Sequence, residues 1–145
     1  MSRTLFTYGT LEVAEIMEMV TGARFPSEPA VLDGFARFLF RNRSYPGIVA
    51  AAGEVTVGTL YQGLDARALA LLDEFEGEWY ERRPVRVRTM DGTLVSACAY
   101  IIPEHYRHVV GTEPWDRKTF LASRGAEYRR RWNSFSAIGR RRQVD

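Results

Sequence analysis

A β-hairpin at residues 84–102 is the sequence feature that most narrows the folds available to this chain. Within residues 84–90, Val85 and Val87 alternate with Arg86 and Arg88, which is the two-residue period of a strand with one buried face. The dipeptide Asp91–Gly92 follows, and this pair is strongly preferred in two-residue hairpin turns. "TLVSACAYII" then supplies the returning strand. The two strands are antiparallel neighbours, so strict alternation of parallel strands and helices does not describe this chain.

The chain begins with a predicted strand and helix. "RTLFTY" (3–8) favours a strand that ends at Gly9. In the helix that follows, Thr10 is the predicted N-cap, apolar residues recur at positions 13, 16, 17 and 20, and Gly22 ends the helix. The glutamates at positions 12, 15 and 18 are therefore placed on the opposite side, facing solvent.

Three strands and a second helix are predicted between this helix and the hairpin. Residues 30–41 alternate as a strand, "SYPG" (44–47) is a turn, and "IVAAA" and "VTVGTLYQG" are two separate strands. Asp65 caps the next helix, and Gly77 ends it in the left-handed conformation. This order of elements predicts an α+β fold with a mainly antiparallel or mixed sheet.

The chain of 145 residues has the length of one domain, and 46% of its residues are apolar, which suffices for a core. A last helix is predicted from about Asp116 to Trp132, and residues 133–145 are predicted to be a basic, flexible tail of the same single domain (1–145). No apolar run approaches the roughly 20 residues of a membrane span, and "MSRTLFTYGT" lacks the features of a signal peptide. A cytoplasmic protein is therefore expected.

Few residues are suited to metal or disulfide chemistry. The single Cys98 excludes an internal disulfide and a Cys-rich zinc site. Its place within a predicted strand favours a core residue over a nucleophile. His105 and His108 are interpreted as surface residues, so no metal is expected.

The net charge of +2 conceals an asymmetry along the chain. Residues 1–78 carry 6 basic and 11 acidic side chains, whereas residues 79–145 carry 14 basic and 7 acidic ones. The arginine clusters at 129–131 and 140–142 are of a kind that binds phosphate backbones, but solvated helix faces and tails are the commoner explanation. A nucleic-acid partner is therefore only a third hypothesis, and no membrane partner is expected.

The acidic segment "LLDEFEGEWYERR" (71–83) is the first candidate for chemistry. On a helical wheel at about 100° per residue, its helix has an apolar stripe made of Ala68, Leu71, Leu72 and Phe75. Asp73 and Glu74 project away from that stripe and are predicted to be solvated, whereas Glu76 lies at its border. A half-buried carboxyl at that border has a raised pKa. The alternative is a glutamate that only hydrogen-bonds a neighbouring strand.

The second candidate is "YGTL" (8–11), at the junction of the first strand and helix. A glycine at such a junction lets the backbone approach a ligand closely, and unpaired N–H groups at a helix start can hold an anion or an oxyanion. The chain has neither a G-x-G-x-x-G nor a G-K-[ST] phosphate loop. It also lacks the G-x-S-x-G context of a serine hydrolase.

Four motifs, in this order and spacing, resemble the gamma-glutamylcyclotransferase-like family, which includes the avirulence-induced plant proteins and the gamma-glutamylamine cyclotransferases. The motifs are "YGTL" (8–11), "YPGIV" (45–49), "VGTLYQGL" (57–64) and "LDEFEGEWYERR" (72–83). The resemblance runs from about residue 3 to about residue 130. It is closest to the plant-type branch, because only three residues separate Glu76 from Tyr80.

The resemblance implies a small mixed, mostly antiparallel β-barrel flanked by helices, and a reaction that needs no cofactor. A free γ-glutamyl α-amine attacks its own side-chain carbonyl, which releases 5-oxoproline and an amine or amino acid. The family's essential glutamate corresponds to Glu76. Its backbone cradle for the γ-glutamyl group corresponds to Tyr8, Gly9, Thr10 and Leu11.

Tyr80 and Tyr45 are expected to line the substrate pocket, as the resemblance implies. A cyclotransferase acting on a small γ-glutamyl compound is therefore the leading hypothesis. The alternative from another class is a non-catalytic module on the same fold that binds a small anion or a γ-glutamyl peptide. The leaving group stays open between a free amino acid, a lysine side-chain amine and a biosynthetic amine.

Overall fold

Strand pairing closes the sheet of this protein into a barrel. The computed structural model describes residues 3–41 and 46–115. The strands in this part are β1 (Arg3–Thr7), β2 (Ser27–Phe40), β3 (Pro46–Leu64), β4 (Glu81–Thr89), β5 (Leu94–Ile101) and β6 (Val110–Pro114). The helices are α1 (Ala14–Thr21) and α2 (Ala66–Glu76), with short 3₁₀ turns at Thr10–Glu12 and Glu104–Val109.

The strand order is β3-β1-β5-β4-β2-β6, and a further pairing of β2 with β3 closes the ring. β1 is parallel to β5, and the other pairs are antiparallel. β4 and β5 form the predicted hairpin, in which Arg88 pairs with Leu94 and Glu81 with Ile101. The Thr89 N–H donates to the Thr93 carbonyl oxygen at 2.9 Å, so the turn has three residues (90–92) where a two-residue turn was predicted. The predicted α+β class with a mixed, mostly antiparallel barrel is therefore confirmed.

One long strand replaces the two that were predicted for "IVAAA" and "VTVGTLYQG". β3 runs through 19 residues and pairs with β2 along both of its halves. The register shifts between Asp33 and Phe35, and Gly53 takes a positive φ of 85° in the part of β3 opposite that shift. A glycine tolerates this conformation, so the irregularity is absorbed without ending the strand. The turn predicted at 44–47 was also misplaced, since positions 46 and 47 already belong to β3.

The first helix starts later than predicted. Thr10 begins the 3₁₀ turn and does not cap α1, because Val13 precedes the helix and no side chain caps it. The predicted end is confirmed, since Gly22 follows α1 with φ 79°. The expectation that Glu12 faces solvent was wrong: the 3₁₀ turn leaves the helical periodicity, and the Glu12 side chain is buried.

The second helix is bounded as predicted, but its buried face is rotated. The Asp65 side chain accepts a hydrogen bond from the Ala68 N–H at 2.8 Å, and Gly77 follows the helix with φ 87°. The ψ of Gly77 is −170°, so the glycine does not take the left-handed helical conformation that was predicted for it. The buried residues of α2 are Ala68, Leu69 and Leu72, whereas Leu71 and Phe75 are half-buried. Glu76 lies seven residues after Leu69 and four after Leu72, so it shares their face.

The core inside the barrel extends to the end of β1 and includes Tyr8. Its buried members are Phe6, Tyr8, Ala30, Leu32, Ile48, Leu60, Val87, Ala99 and Ile101. Because β1 runs parallel to β5, with Phe6 beside Ala99, the chain leaves β1 next to the C-terminal end of β5. β4 begins at that same end, since Glu81 pairs with Ile101. This arrangement places residues 8–11 near the short connection from α2 to β4.

Residues through Trp115 form one compact unit. The last helix predicted from Asp116 to Trp132 and the basic tail at 133–145 lie outside the described residues, as does Tyr45. A single domain over the whole chain, and any role of the arginine clusters, therefore stay predictions.

The close packing of β1 on β3 yields a stability prediction. A methyl group on Gly58 would overlap the Thr7 carbonyl oxygen and approach Phe6 Cζ to 2.8 Å, and a backbone carbonyl cannot move aside. We expect Gly58→Ala to lower the free energy of unfolding in urea by at least about 2 kcal/mol. Gly111→Ala is the matched control, because its methyl group would meet the Leu39 carbonyl at an ordinary 3.5 Å. Equal stability of the two variants would contradict this account.

Candidate functional site

The carboxyl group of Glu76 lies in surroundings that favour its protonated form. It is half-buried at the end of α2. Burial, which disfavours the charged form, and the nearby negative charge of Asp73 raise its pKa from 4.5 to about 8. The raised pKa predicted from the sequence is therefore found. A carboxyl with this pKa can both accept and return a proton near neutral pH.

Two tyrosines, Tyr8 and Tyr100, lie close to Glu76. The hydroxyl of Tyr8 donates a hydrogen bond to the backbone carbonyl of Tyr100 at 2.5 Å. Burial raises the pKa of both hydroxyls, and the negative charge of Glu76 raises both further. Both tyrosines are therefore neutral near pH 7, and Glu76 interacts electrostatically with β1 and with β5.

Asp73 is not the purely solvated residue that the helical wheel predicted. Its side chain is 45% exposed, yet Oδ1 accepts a hydrogen bond from the Tyr100 hydroxyl at 2.7 Å and lies 3.2 Å from Arg82 Nε. The wheel could not show this contact, because both partners come from strands that follow α2 in the sequence. Glu74 is exposed, as predicted.

The YGTL loop (residues 8–11) is held at both ends by side chains from distant strands. Arg37 Nη1 donates to the Tyr8 carbonyl oxygen at 2.6 Å. The Tyr61 hydroxyl donates to the Leu11 carbonyl oxygen at 2.8 Å. Since both bonds reach across the sheet, the loop is fixed to the barrel wall formed by β2 and β3.

The carbonyl oxygens of Gly9 and Thr10, the two inner residues of the loop, accept hydrogen bonds from the 3₁₀ turn and the residue after it. Gly9 O accepts from Glu12 N–H at 3.0 Å, and Thr10 O accepts from Val13 N–H at 3.1 Å. The N–H and C=O groups of a trans peptide unit point in opposite directions. The N–H groups of Gly9, Thr10 and Leu11 therefore point away from those bonded carbonyls. No backbone carbonyl in the described part of the chain accepts from them.

Pro46 connects this loop to Tyr80. A Cβ atom on Gly9 would lie 2.5 Å from Pro46 Cγ, so only glycine permits this approach. The Tyr80 hydroxyl donates to the Pro46 carbonyl oxygen at 2.5 Å, and its ring stacks on Phe40 with centroids 5.5 Å apart. The Tyr80 ring also meets the edge of Tyr100 at 6.4 Å. Tyr80, the YGTL loop and Tyr100 are thus in one connected set of contacts.

Sequence reasoning missed the residues that support the loop. Arg37 was not named as a site residue, yet its Nη1 lies 3.9 Å from Glu12 Oε2 and its guanidinium lies 5.2 Å from the Trp115 ring. Glu12 also accepts a hydrogen bond from the Thr59 hydroxyl at 3.2 Å. The one available signal was the adjacency of Glu12 to "YGTL", because the partners are 25 or more residues away in the sequence.

Other groups named from the sequence behave as core or surface residues. Cys98 is buried, and its thiol contacts the Thr4 carbonyl oxygen at 3.4 Å, as expected of a core residue. Within residues 3–41 and 46–115, no three His, Cys, Asp or Glu side chains come together as a metal site. No helix in the described part of the chain is long and apolar enough to span a membrane.

The raised pKa of Glu76 predicts how stability depends on pH. The folded state binds the Glu76 proton more tightly than the unfolded state does, so this stabilisation is complete below about pH 4.5 and is lost as the pH rises to about 8. Glu76→Gln keeps a neutral side chain at every pH. We expect its free energy of unfolding, relative to the unmodified protein, to be at least about 1 kcal/mol higher at pH 9 than at pH 5.

Urea unfolding at the two pH values measures this difference. Glu78→Gln removes the same charge from an exposed position two residues further along, and it serves as the control for net charge. The same relative stability of Glu76→Gln at both pH values would mean that the Glu76 carboxyl is not perturbed.

Comparison with known proteins identifies the family of the chain. A family model described as "Gamma-glutamyl cyclotransferase, AIG2-like" matches residues 5–117. Among curated proteins, AIG2-like protein C of Arabidopsis thaliana is 34% identical over 87 residues, which are 60% of this chain and 51% of that protein. The chain spans about half the length of the curated relatives it matches.

Solved structures share the fold. An Arabidopsis thaliana protein with a known solution structure aligns with a TM-score of 0.71 at 22% identity, over 97% of this chain and 85% of that one. A gamma-glutamyl cyclotransferase aligns with a TM-score of 0.61 at 19% identity, over 71% and 68% of the two chains. At these identities the likeness shows the fold alone. Because the family model extends over nearly all of the described barrel, the chain belongs to the gamma-glutamyl cyclotransferase, AIG2-like family.

Proposed function

We propose that this protein is a γ-glutamyl cyclotransferase that acts on a small γ-glutamyl compound. The α-amine of the substrate attacks the γ-carbonyl carbon, and the products are 5-oxoproline and a free amine or amino acid. The observation that carries the proposal is the Glu76 carboxyl, whose pKa is about 8, in electrostatic contact with Tyr8, the first residue of the YGTL loop. Membership of the family supports the reaction class.

The reaction closes a five-membered ring within one molecule. Orientation of the two reacting groups can therefore remove a large part of the barrier, on the order of 7 kcal/mol or more. The protein must hold the γ-glutamyl group folded back on itself. We assign this task to the YGTL loop, with Tyr80 beside it as part of the pocket wall. Tyr45, which lies outside the described residues, stays a predicted member of that wall.

Glu76 is the proposed acid–base residue. An α-ammonium group has a pKa near 8, so an ordinary glutamate would face a gap of roughly 3.5 pKa units, or about 5 kcal/mol. The pKa of about 8 in this protein nearly closes the gap. Glu76 takes a proton from the α-ammonium group, and the free amine then attacks the γ-carbonyl carbon to form the new C–N bond. Glu76 gives that proton to the leaving nitrogen as the γ-amide C–N bond breaks, and it takes up the second proton that the ring nitrogen loses.

The N–H groups of the YGTL loop are the proposed donors to the γ-glutamyl group. As the ring closes, negative charge develops on the former γ-carbonyl oxygen, and fixed N–H donors stabilise such charge. A substrate carboxylate is an equally suitable acceptor for this cradle. The Gly9, Thr10 and Leu11 N–H groups fit this task, because the carbonyls of the same peptide units are already hydrogen-bonded. Each proposed step uses only groups of the chain and the substrate, so the proposal includes no cofactor.

Substitution of Glu76 tests the reaction. The protein is incubated with a panel of γ-glutamyl amino acids, γ-glutamyl-lysine and γ-glutamyl amines, and 5-oxoproline is measured by mass spectrometry. We expect product from at least one substrate, and a loss of at least about 100-fold in kcat for Glu76→Gln, which cannot exchange the proton. Glu74→Gln, an exposed neighbour, should retain activity. Retained 5-oxoproline release by Glu76→Gln would sink the assignment, and substrate binding without product would favour the non-catalytic module.

The hydrogen bond from Arg37 yields a second kinetic prediction. Without this side chain the Tyr8 carbonyl loses its donor at 2.6 Å, so the N–H of Gly9 in the same peptide unit is no longer fixed. We expect Arg37→Met to lower kcat/KM about tenfold or more. Arg86→Met, an exposed arginine on β4, is the matched control. If both variants keep full kcat/KM while remaining folded, Arg37 does not orient the loop.

A further inference from the structure

We infer that Asp73 is a positioning residue for Glu76, and that Asp73 and Tyr100 together tie the end of α2 to the YGTL loop. This inference rests on the proposed role of Glu76 as acid–base residue. It assigns a function to a carboxylate that the helical pattern placed in solvent.

Asp73 attaches α2 to the β4–β5 hairpin. Asp73 lies three residues before Glu76, about one helical turn. Its Oδ1 accepts the Tyr100 hydroxyl at 2.7 Å, and its backbone carbonyl accepts the Gly77 N–H at 3.2 Å. One residue therefore fixes both the helix end and its distance from β5. A side chain that follows one turn later is held in place by the same contacts.

Tyr100 links β5 to the YGTL loop. Tyr100 uses its hydroxyl for Asp73 and its backbone carbonyl for the Tyr8 hydroxyl, at 2.5 Å. Two hydrogen bonds and one residue thus connect the helix that carries Glu76 to the first residue of the YGTL loop. The proposed base, Glu76, lies on one side of this connection, and the proposed cradle, the YGTL loop, lies on the other. The distance between them therefore depends on these two hydrogen bonds.

The groups around Glu76 set the charge that its carboxyl experiences. The groups that interact with it are Tyr8 on the β1 side, Tyr100 on β5 and Asp73 on α2, and Arg82 on β4 faces Asp73. Arg82 Nη1 is buried and has no hydrogen-bond partner in the described part of the chain. The guanidinium therefore relies on Asp73 for its ion pair. Removal of the Asp73 charge takes away the negative charge that raises the pKa of Glu76, so it favours ionised Glu76.

Asp73→Asn tests this directly, because it keeps the shape of the side chain and removes its charge. The Glu76 carboxyl is titrated by ¹³C NMR of protein labelled at glutamate, with Glu76→Gln to assign the signal. We expect the pKa of Glu76 to fall by about 1 or more in Asp73→Asn, and the acid limb of the kcat/KM profile to move with it. We also expect kcat to fall about tenfold, with KM within about twofold.

Tyr100→Phe separates position from charge, since it removes the hydroxyl and leaves the Asp73 side chain unchanged. We expect kcat to fall in this variant and the pKa of Glu76 to change less than in Asp73→Asn. The double variant should be no slower than the slower single variant, because both substitutions break one connection. Glu74→Gln is the control and should change neither quantity.

An unchanged pKa of Glu76 together with an unchanged kcat in Asp73→Asn would overturn the inference. If Asp73→Asn does not fold, an unchanged kcat in Tyr100→Phe would overturn the inference in the same way. Absence of product from the unmodified protein would instead count against the proposed function. The NMR titration would still decide whether Asp73 controls the proton affinity of Glu76.

Discussion

The parallel pairing of β1 with β5 is the constraint on which the rest of this structure depends. Phe6 lies beside Ala99, so the first strand enters the barrel between β3 and a strand from the later hairpin. The chain then emerges at the end of the barrel where β5 ends and β4 begins. The YGTL loop and the end of α2 meet there only because of this placement. A loop at residues 8–11 and a glutamate at residue 76 are otherwise unrelated in the chain.

The proton affinity of Glu76 follows from the same packing. Three groups from other parts of the chain lie near the end of α2: Arg82 is paired with Asp73 of the helix, while Tyr8 and Tyr100 are neutral. Glu76 has no such cationic partner among the groups that set its pKa, so burial dominates. An acidic cluster that looks uniform in sequence is therefore divided by the fold. Asp73 is held by Arg82 and Tyr100, whereas Glu76 is the carboxyl whose pKa is raised to about 8.

The sequence predicted local features well because their causes are local. Asp65 capping α2, Gly77 ending it and the location of the β4–β5 hairpin each depend on residues close together in the chain. The order of the elements predicted the α+β class, and the resemblance of the four motifs specified the barrel. The errors have a common physical origin. Glu12 and Asp73 were placed in solvent and Arg37 was not singled out, yet each is held by residues that are distant in the sequence. The buried face of α2 was mispredicted for the same reason, since the burial of Leu69 depends on the elements that pack against it.

The most direct test of this account is a crystal structure of Glu76→Gln with a bound γ-glutamyl amine. We predict the α-nitrogen of the substrate within about 3.5 Å of the side-chain amide at position 76. The γ-carbonyl oxygen or the carboxylate should lie about 3 Å from N–H groups of Gly9 to Leu11. A γ-glutamyl group bound elsewhere on the barrel, or bound with its α-nitrogen turned away from position 76, would contradict the account.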